Sequence, residues 1–195
     1  MNHSAVEPPS ALAAIERDTQ AIGFTMASDM LTGSLLRTLA ASKPGGALLE
    51  MGTGTGMGAA WLLDGMDATA RLTTVDCDNQ HTVVASRHLG GDPRVTFHLG
   101  DGGQFLEAQR VQGAAYDLIF ADTWPGKYDH LDDALALLKL GGLYVIDDLH
   151  PQPGWPADHF PKMPALIATL EARPDLRLTR LDWSTGLIVA ARISI

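Results

Sequence analysis

The sequence predicts an α/β fold: a doubly wound, mostly parallel sheet with helices on both faces. Three observations lead to this prediction. Short apolar runs alternate with helical patterns along most of the chain, which is typical of parallel strands joined by crossover helices. Two apolar runs near the C-terminus are separated by a short turn, and a connection that short permits only antiparallel pairing. The chain has 195 residues, 46% of them hydrophobic, which is enough for one core.

The elements follow in order. Helical patterns at 11–22 and 28–41 come first, and in the second, apolar residues recur at three- and four-residue steps before Lys43-Pro44-Gly45-Gly46 ends it. Strands are then predicted at 47–51, 72–76, 95–99, 116–121, 143–147, 177–181 and 187–192. Helices are predicted to begin at 59–63 and to span 80–89, 130–138 and 163–172. We expect an antiparallel edge strand at the C-terminal end of the sheet.

Composition argues against several classes of protein. The formal charge of −9 is a poor match for nucleic acid or for an anionic membrane surface. No run approaches the roughly 18 apolar residues of a spanning helix, and the segment from Met1 to Ala14 lacks the pattern of a secretory signal. The single cysteine, Cys77, makes neither an internal disulfide nor a cysteine-based zinc site. We therefore expect a soluble cytoplasmic protein.

A glycine-rich turn follows the first strand. The run from Glu50 to Gly58 reads EMGTGTGMG, and its four alternating glycines let a ligand approach the main chain before a new helix offers unpaired N–H groups. Asp76 ends the next strand, where a carboxylate can accept two hydrogen bonds from a ribose diol. The alternative for the glycine-rich run is a tight turn that binds no ligand. The alternative for Asp76 is an acid in a solvated loop. Asp78 is predicted to cap the following helix, and Cys77 to pack beside the site.

Further acids stand at the ends of later strands. Asp101, after the third strand, could accept a hydrogen bond from an exocyclic amine such as that of adenine, or could cap a helix. Asp122, Asp147 and Asp148 follow the fourth and fifth strands. Carboxylates this close repel unless a cation or protons intervene, and such ligands suit Mg²⁺. The alternative is that one of them caps a helix and another pairs with Lys127.

These motifs resemble those of class I S-adenosylmethionine-dependent methyltransferases. The run from Glu50 to Gly56 is similar to the family's first motif, and Asp76, Gly100-Asp101 and Asp122 stand where the family has its next three motifs. The helix with Thr32-Gly33-Ser34 is similar to the leading segment of the small catechol and caffeoyl-CoA-type O-methyltransferases. The resemblance covers about residues 26–192. It implies a Rossmann-like sheet of seven strands whose last strand is inserted antiparallel, in one domain at 26–195 after an N-terminal helical extension at 1–25.

The resemblance also implies roles for residues around S-adenosylmethionine, whose product is S-adenosylhomocysteine. The glycines would flank the methionine moiety, Glu50 would reach its ammonium group, Asp76 would hold the ribose hydroxyls, and Asp101 would sit near the adenine. The predicted cofactor-binding set is Glu50, Gly52, Thr53, Gly54, Gly56, Asp76, Cys77, Gly100, Asp101, Asp122 and Trp124. Relatives in this family are often dimers, so the resemblance implies a homodimer.

The catechol-type subgroup implies a metal, and this chain departs from its pattern twice. Asp122, Asp147 and Asp148 match the positions that bind Mg²⁺ there, but the subgroup usually has asparagine in place of Asp148. The subgroup's lysine base lies three residues beyond the first metal acid, which is Pro125 here; Lys127 follows two residues later. Lys127, His130 and His150 are candidate bases, and Lys127 and His150 are the predicted catalytic residues.

The predicted activity is O-methylation of a small hydroxylated molecule. The segment at 149–164 carries five prolines and is expected to form one wall of the acceptor pocket, with Trp124, Trp155 and Phe160. Its alternative role is a structural connection. Two rival functions stay open: a nicotinamide-dependent oxidoreductase, because Gly54 to Ala59 satisfies G-x-G-x-x-A, and a cofactor-binding module without catalysis.

Overall fold

Seven strands and seven helices make up the part of the chain that the computed structural model describes, residues 6–152, 156–157 and 159–194. The helices are α1 (Leu12–Ala21), α2 (Met30–Ala41), α3 (Met57–Gly65), α4 (Asn79–Leu89), α5 (Gly102–Gln112), α6 (Leu131–Ala136) and α7 (Lys162–Glu171). The strands are β1 (Ala47–Met51), β2 (Arg71–Asp76), β3 (Val95–Leu99), β4 (Tyr116–Ala121), β5 (Leu138–Ile146), β6 (Leu176–Leu181) and β7 (Leu187–Arg192). None of the described helices is both long and apolar enough to cross a bilayer.

The strands form one sheet in the order β3-β2-β1-β4-β5-β7-β6. Strands β1 to β5 pair in parallel, whereas β7 lies antiparallel between β5 and β6. The predicted doubly wound sheet is confirmed, and so are the seven strands and the inserted last strand that the resemblance implies. The expected antiparallel pairing at the edge is also confirmed, because the edge strand β6 pairs antiparallel with β7, but the strand that runs against the others is β7, inside the sheet.

Alternation along the strands gives the sheet two packed faces. Leu48 belongs to a core that packs against α1, α2 and α3, with Leu12, Leu36 and Trp61 among its buried members. Its neighbour Leu49 belongs to a second core on the other face, formed with α5, α6 and α7. Covering both faces of a parallel sheet explains why its central strands are almost continuously apolar.

Two further differences from the predicted elements concern the second half of the chain. The helix predicted at 130–138 ends at Ala136, and β5 already begins at Leu138, five residues before the predicted strand. The pairing of β5 with β4 shifts register between Tyr116 and Leu118, next to Gly141 and Gly142. The helix α5 has no counterpart among the predicted elements. Asp101 caps it by accepting a hydrogen bond from the Gln104 N–H at 2.8 Å.

The sheet order places the functional strand ends side by side. After β1 the chain runs outward to β2 and β3, and then returns to β4 on the other side of β1. The crevice between β1 and β4 is the position where ligands bind in open α/β sheets. The Asp122 N–H donates to the Met51 carbonyl oxygen at 2.9 Å, which joins the two strand ends at this crevice.

Candidate active site

The glycine turn after β1 forms the floor of the site. Gly52 and Gly54 have φ angles of +102° and +50°, in the left-handed region that favours glycine. A Cβ at Gly52 would lie 2.7 Å from the Asp122 carbonyl oxygen, so a side chain there would push the turn away from the end of β4. The turn is therefore bare main chain pressed into the crevice, and the N-terminus of α3 follows it.

Asp76 connects the end of β2 to this turn. Its Oδ2 accepts a hydrogen bond from the Gly54 N–H at 2.7 Å, and its Oδ1 accepts one from the Asp78 N–H at 2.8 Å. A carboxylate has about four lone-pair positions, so two remain for a ligand. Asp78 caps α4 by accepting from the Gln80 N–H at 2.7 Å, which confirms its predicted structural role.

Glu50 lies beneath the glycine turn, 1% exposed. Its Oε2 accepts a hydrogen bond from the Thr74 hydroxyl at 2.5 Å, and the Thr74 hydroxyl lies 2.6 Å from that of Thr53. Burial raises the pKa of the Glu50 carboxyl to about 8. Its Oε1 lies 2.3 Å from where a Cβ on Gly58 would be, so the first turn of α3 packs directly on the carboxyl.

One cavity of about 440 Å³ extends over the strand ends from Asp76 to the ends of β4 and β5. Eight of the predicted site residues line it: Gly52, Thr53, Gly54, Asp76, Asp122, Trp124, Lys127 and Asp148. The other seven do not: Glu50, Gly56, Cys77, Gly100, Asp101, Asp147 and His150. Cys77 is exposed, and the His150 ring lies at the surface with Nε2 3.4 Å from an Asp182 oxygen.

The cavity also has walls that the sequence prediction missed. The segment between α1 and α2 contributes Phe24, Met26, Ala27 and Ser28, and the Phe24 ring packs against His81 of α4 with centroids 4.2 Å apart and ring planes tilted by 40°. The Ser28 hydroxyl donates to Asp122 Oδ2 at 2.9 Å. No periodic pattern marks this segment, because it is neither helix nor strand. His81 carried a weak signal, since it lies in the first turn of the helix that Asp78 caps.

A tight turn carries Lys127 into the cavity. The N–H groups of Lys127, Tyr128 and Asp129 all point to the Trp124 carbonyl oxygen, at 3.0, 2.9 and 3.2 Å, and Gly126 has a φ of +89°. The Tyr144 hydroxyl anchors the turn from below by donating to the Gly126 carbonyl oxygen. Lys127 is only 4% exposed although it lies two residues beyond the position of the catechol-type lysine.

The three predicted metal acids surround this lysine without converging on one point. Among the described residues, no choice of one oxygen each from Asp122, Asp147 and Asp148 puts the three within 4.8 Å of one another. Asp147 is 2% exposed, and its Oδ1 accepts hydrogen bonds from the Asp148 N–H at 2.7 Å and from the Thr185 hydroxyl. As arranged, the acids do not fit a divalent ion that all three would ligate.

Burial dominates the electrostatics of this cluster. It raises the pKa of Asp122 well above its usual value, with Asp147 acting in the same direction and Lys127 opposing. Burial raises the pKa of Asp147 to about 6 and also raises that of Asp148. Burial lowers the pKa of Lys127, while the three aspartates act in the opposite direction. The cluster therefore holds four ionisable groups whose charges depend on one another.

Three aromatic rings line the cavity beside Lys127. The centroids of Trp124, Tyr128 and His159 are 5.1 to 5.8 Å apart, and the Tyr128 hydroxyl lies 3.3 Å from His159 Nε2. Of the predicted wall at 149–164, Pro156 and His159 line the cavity, whereas Phe160 does not. Trp155 lies outside the described residues. His130, a weaker candidate base, lies away from this cavity, with Nδ1 3.0 Å from Asp133 Oδ2.

Comparisons with known proteins agree with this geometry. A family model described as a methyltransferase domain matches residues 49–149, just over half of the chain. A "Putative O-methyltransferase" of Mycobacterium ulcerans is 34% identical over 119 residues, which are 58% of this chain and 52% of that protein. A second protein of the same name, from Mycolicibacterium vanbaalenii, is 33% identical over 149 residues, which are 74% of this chain and 64% of that protein. The aligned part of this chain thus spans about half the length of the first of these relatives.

The fold is also similar to that of a solved O-methyltransferase structure. The O-methyltransferase TomG from Streptomyces achromogenes, crystallised with S-adenosylmethionine, superposes with a TM-score of 0.84 at 22% identity. The match covers 97% of this chain and 92% of that one.

Proposed function

The chain belongs to the methyltransferase domain family, and on that premise we propose that it transfers a methyl group from S-adenosylmethionine to the hydroxyl oxygen of a small molecule. One observation carries the proposal. A single cavity joins the glycine turn and Asp76, which suit a nucleoside with an amino-acid tail, to a polar cluster that suits a hydroxyl group. The names of the relatives, which are O-methyltransferases, support oxygen as the methyl acceptor.

The residues of the first half of the cavity fit the cofactor. The turn at Gly52 leaves no room for a side chain and so offers main-chain groups to the ligand. Asp76 keeps two lone-pair positions for the ribose hydroxyls after its two main-chain hydrogen bonds. The Phe24 and His81 rings close this half of the cavity from the side. We propose that these groups hold the cofactor with its sulfonium directed toward β4.

The second half of the cavity would hold the acceptor. When bound, S-adenosylmethionine supplies a methyl group on a positively charged sulfur; the new O–C bond forms as the C–S bond breaks and leaves its electron pair on sulfur. The chain's own contribution is to align the oxygen with that carbon, and to take the hydroxyl proton. Asp122 and Asp148 are the carboxylates that line this half of the cavity, and the proton passes to one of them and then to water.

A transfer assay tests this function. The full chain is incubated with S-adenosylmethionine labelled in its methyl group and with a panel of phenols, catechols and aliphatic alcohols. We expect label in an organic product that is a methyl ether, together with one equivalent of S-adenosylhomocysteine. Binding of S-adenosylhomocysteine without turnover on any acceptor would favour the module without catalysis. The family match already disfavours the nicotinamide-dependent oxidoreductase.

A further inference from the structure

We infer that Lys127 supplies the cation of the acceptor half of the cavity, so that methyl transfer needs no divalent metal and the acceptor is an aromatic ring with a single hydroxyl group. The inference rests on the proposed function. A metal would need the three acids to converge on one point, and the structure does not bring them together.

The first support is an ammonium group whose hydrogen-bond donors are unused. Lys127 is 4% exposed and lines the cavity, yet within the described part of the chain no oxygen accepts a hydrogen bond from its Nζ and no carboxylate lies within 4.0 Å of it. The Tyr128 ring centroid lies 5.4 Å from this Nζ. The three aspartates act on its charge without accepting a hydrogen bond from it, so this Nζ has donors to give to a bound oxygen.

The second support is the position of the acids around that group. Asp122 and Asp148 line the cavity, whereas Asp147 is committed to Thr185 and to the Asp148 N–H. Their oxygens do not meet as ligands of one ion. Lys127 already places a positive charge among the three carboxylates. This charge would repel a divalent ion that entered the cluster.

The third support concerns the shape of the acceptor. A metal ion can bind two neighbouring oxygens of a diol at once, because it takes six or more oxygen ligands. An ammonium group is a compact point charge that is suited to one oxygen. The rings of Trp124, Tyr128 and His159 line the cavity beside Lys127 and offer flat surface to a ring. Together these features suit a phenol that has no second hydroxyl beside the reacting one.

In the proposed step, Lys127 donates a hydrogen bond to the acceptor oxygen and stabilises it as negative charge develops. The hydroxyl proton passes to Asp122 or Asp148, and the oxygen lone pair forms the bond to the methyl carbon. The C–S electron pair stays on sulfur, which becomes neutral. No oxidant, reductant or further co-reactant is required.

The test compares Lys127→Met, Lys127→Arg and the matched control Lys139→Met, which removes an exposed lysine that pairs with Asp117 far from the cavity. With a phenol as acceptor and a chelator present, we expect wild type and Lys139→Met to turn over equally. Lys127→Met should lose roughly 10²–10³-fold in kcat, as for removal of one donor to a developing oxyanion. Lys127→Arg should keep more activity than Lys127→Met, because it retains the charge. S-adenosylhomocysteine should bind all four proteins alike.

A second readout does not depend on turnover. Mg²⁺ should leave the melting temperatures of wild type, Lys127→Met and Lys127→Arg unchanged, because the three acids do not meet as ligands of one ion. Turnover of wild type that the chelator abolishes and Mg²⁺ restores would overturn the inference, and so would stabilisation of wild type by Mg²⁺. If none of the proteins methylates any acceptor, the proposed function fails, and the melting temperatures still decide whether the acids bind a metal.

Discussion

At the scale of single residues, Asp76 links the glycine turn to the cavity. Because its two oxygens each accept a main-chain N–H, the carboxylate both orders the turn and faces the cavity. We predict that Asp76→Ala weakens S-adenosylhomocysteine binding by about tenfold or more, since hydrogen bonds to a charged group contribute roughly 1.5–3 kcal/mol.

Equilibrium dialysis with labelled S-adenosylhomocysteine measures this loss. Asp182→Ala is the control, because it removes an equal charge from a side chain that is 98% exposed and outside the cavity. An Asp76→Ala protein that binds as tightly as this control would contradict the ribose role of Asp76.

The buried Glu50 makes stability depend on pH. Its pKa of about 8 in the folded protein stands above the ordinary value of 4.5, so the folded state keeps a proton that the unfolded chain releases between these values. The free energy of unfolding therefore falls as pH rises through this range, by up to about 1.4 kcal/mol per pH unit from this group. Glu50→Gln should flatten this part of the profile.

Urea denaturation of wild type and Glu50→Gln, without ligand and at several pH values across this range, measures the difference. Subtracting the two profiles removes the contributions of Asp122 and Asp147, which both proteins share. Parallel profiles would show that Glu50 is already ionised in the folded protein.

Residue types and strand ends predicted much of the site, but not which way side chains point. The glycine turn, Asp76, Asp122 and Asp148 lie around the cavity because position at a strand end nearly determines their place. His150 also follows a strand, yet its ring lies at the surface beside Asp182. Lys127 reaches the cavity through a turn whose geometry depends on an anchor from Tyr144, seventeen residues further along the chain, which no local pattern reveals.

At the scale of elements, the contact between α2 and α3 depends on one glycine. A Cβ at Gly33 would lie 2.3 Å or less from atoms of the Trp61 indole, which is fully buried. We predict that Gly33→Ala lowers the free energy of unfolding by about 1–3 kcal/mol, the usual cost of overpacking a core. Gly91→Ala is the matched control, because nothing lies within 4 Å of its Cβ position.

Chemical denaturation of the two variants measures both values. Equal stability of Gly33→Ala and Gly91→Ala would contradict the close packing of these two helices. Gly33 lies in the segment that resembles the leading helix of the small O-methyltransferases.

The C-terminal hairpin shows one limit of the sequence prediction at this scale. The short turn predicted antiparallel pairing of β6 with β7, which is confirmed, but not which of the two strands pairs with β5. Composition held a signal: β7 reads LIVAAR and has no exposed residue, whereas β6 reads LRLTRL and has three. A strand with neighbours on both sides and helices on both faces is expected to be the more apolar one. The early start of β5 was not predicted, because Gly141 and Gly142 interrupt its apolar run.

At the scale of the whole molecule, the sheet order brings distant segments to one cavity. The ends of β1, β2, β4 and β5 and the segment before α2 all contribute to its lining. The fold class was predictable because strand–helix alternation extends over most of the chain. The cavity was predictable only where it is built from strand ends, because segments such as 24–28 are positioned by tertiary contacts.

The central claim is that this cavity holds a sulfonium nucleoside. Isothermal titration calorimetry of the full chain with S-adenosylhomocysteine, and in parallel with NAD⁺, tests it most directly. We predict saturable heat at one site per chain for S-adenosylhomocysteine and none for NAD⁺. Absence of heat from both S-adenosylmethionine and S-adenosylhomocysteine at millimolar concentration would contradict the claim, and so would tighter binding of NAD⁺.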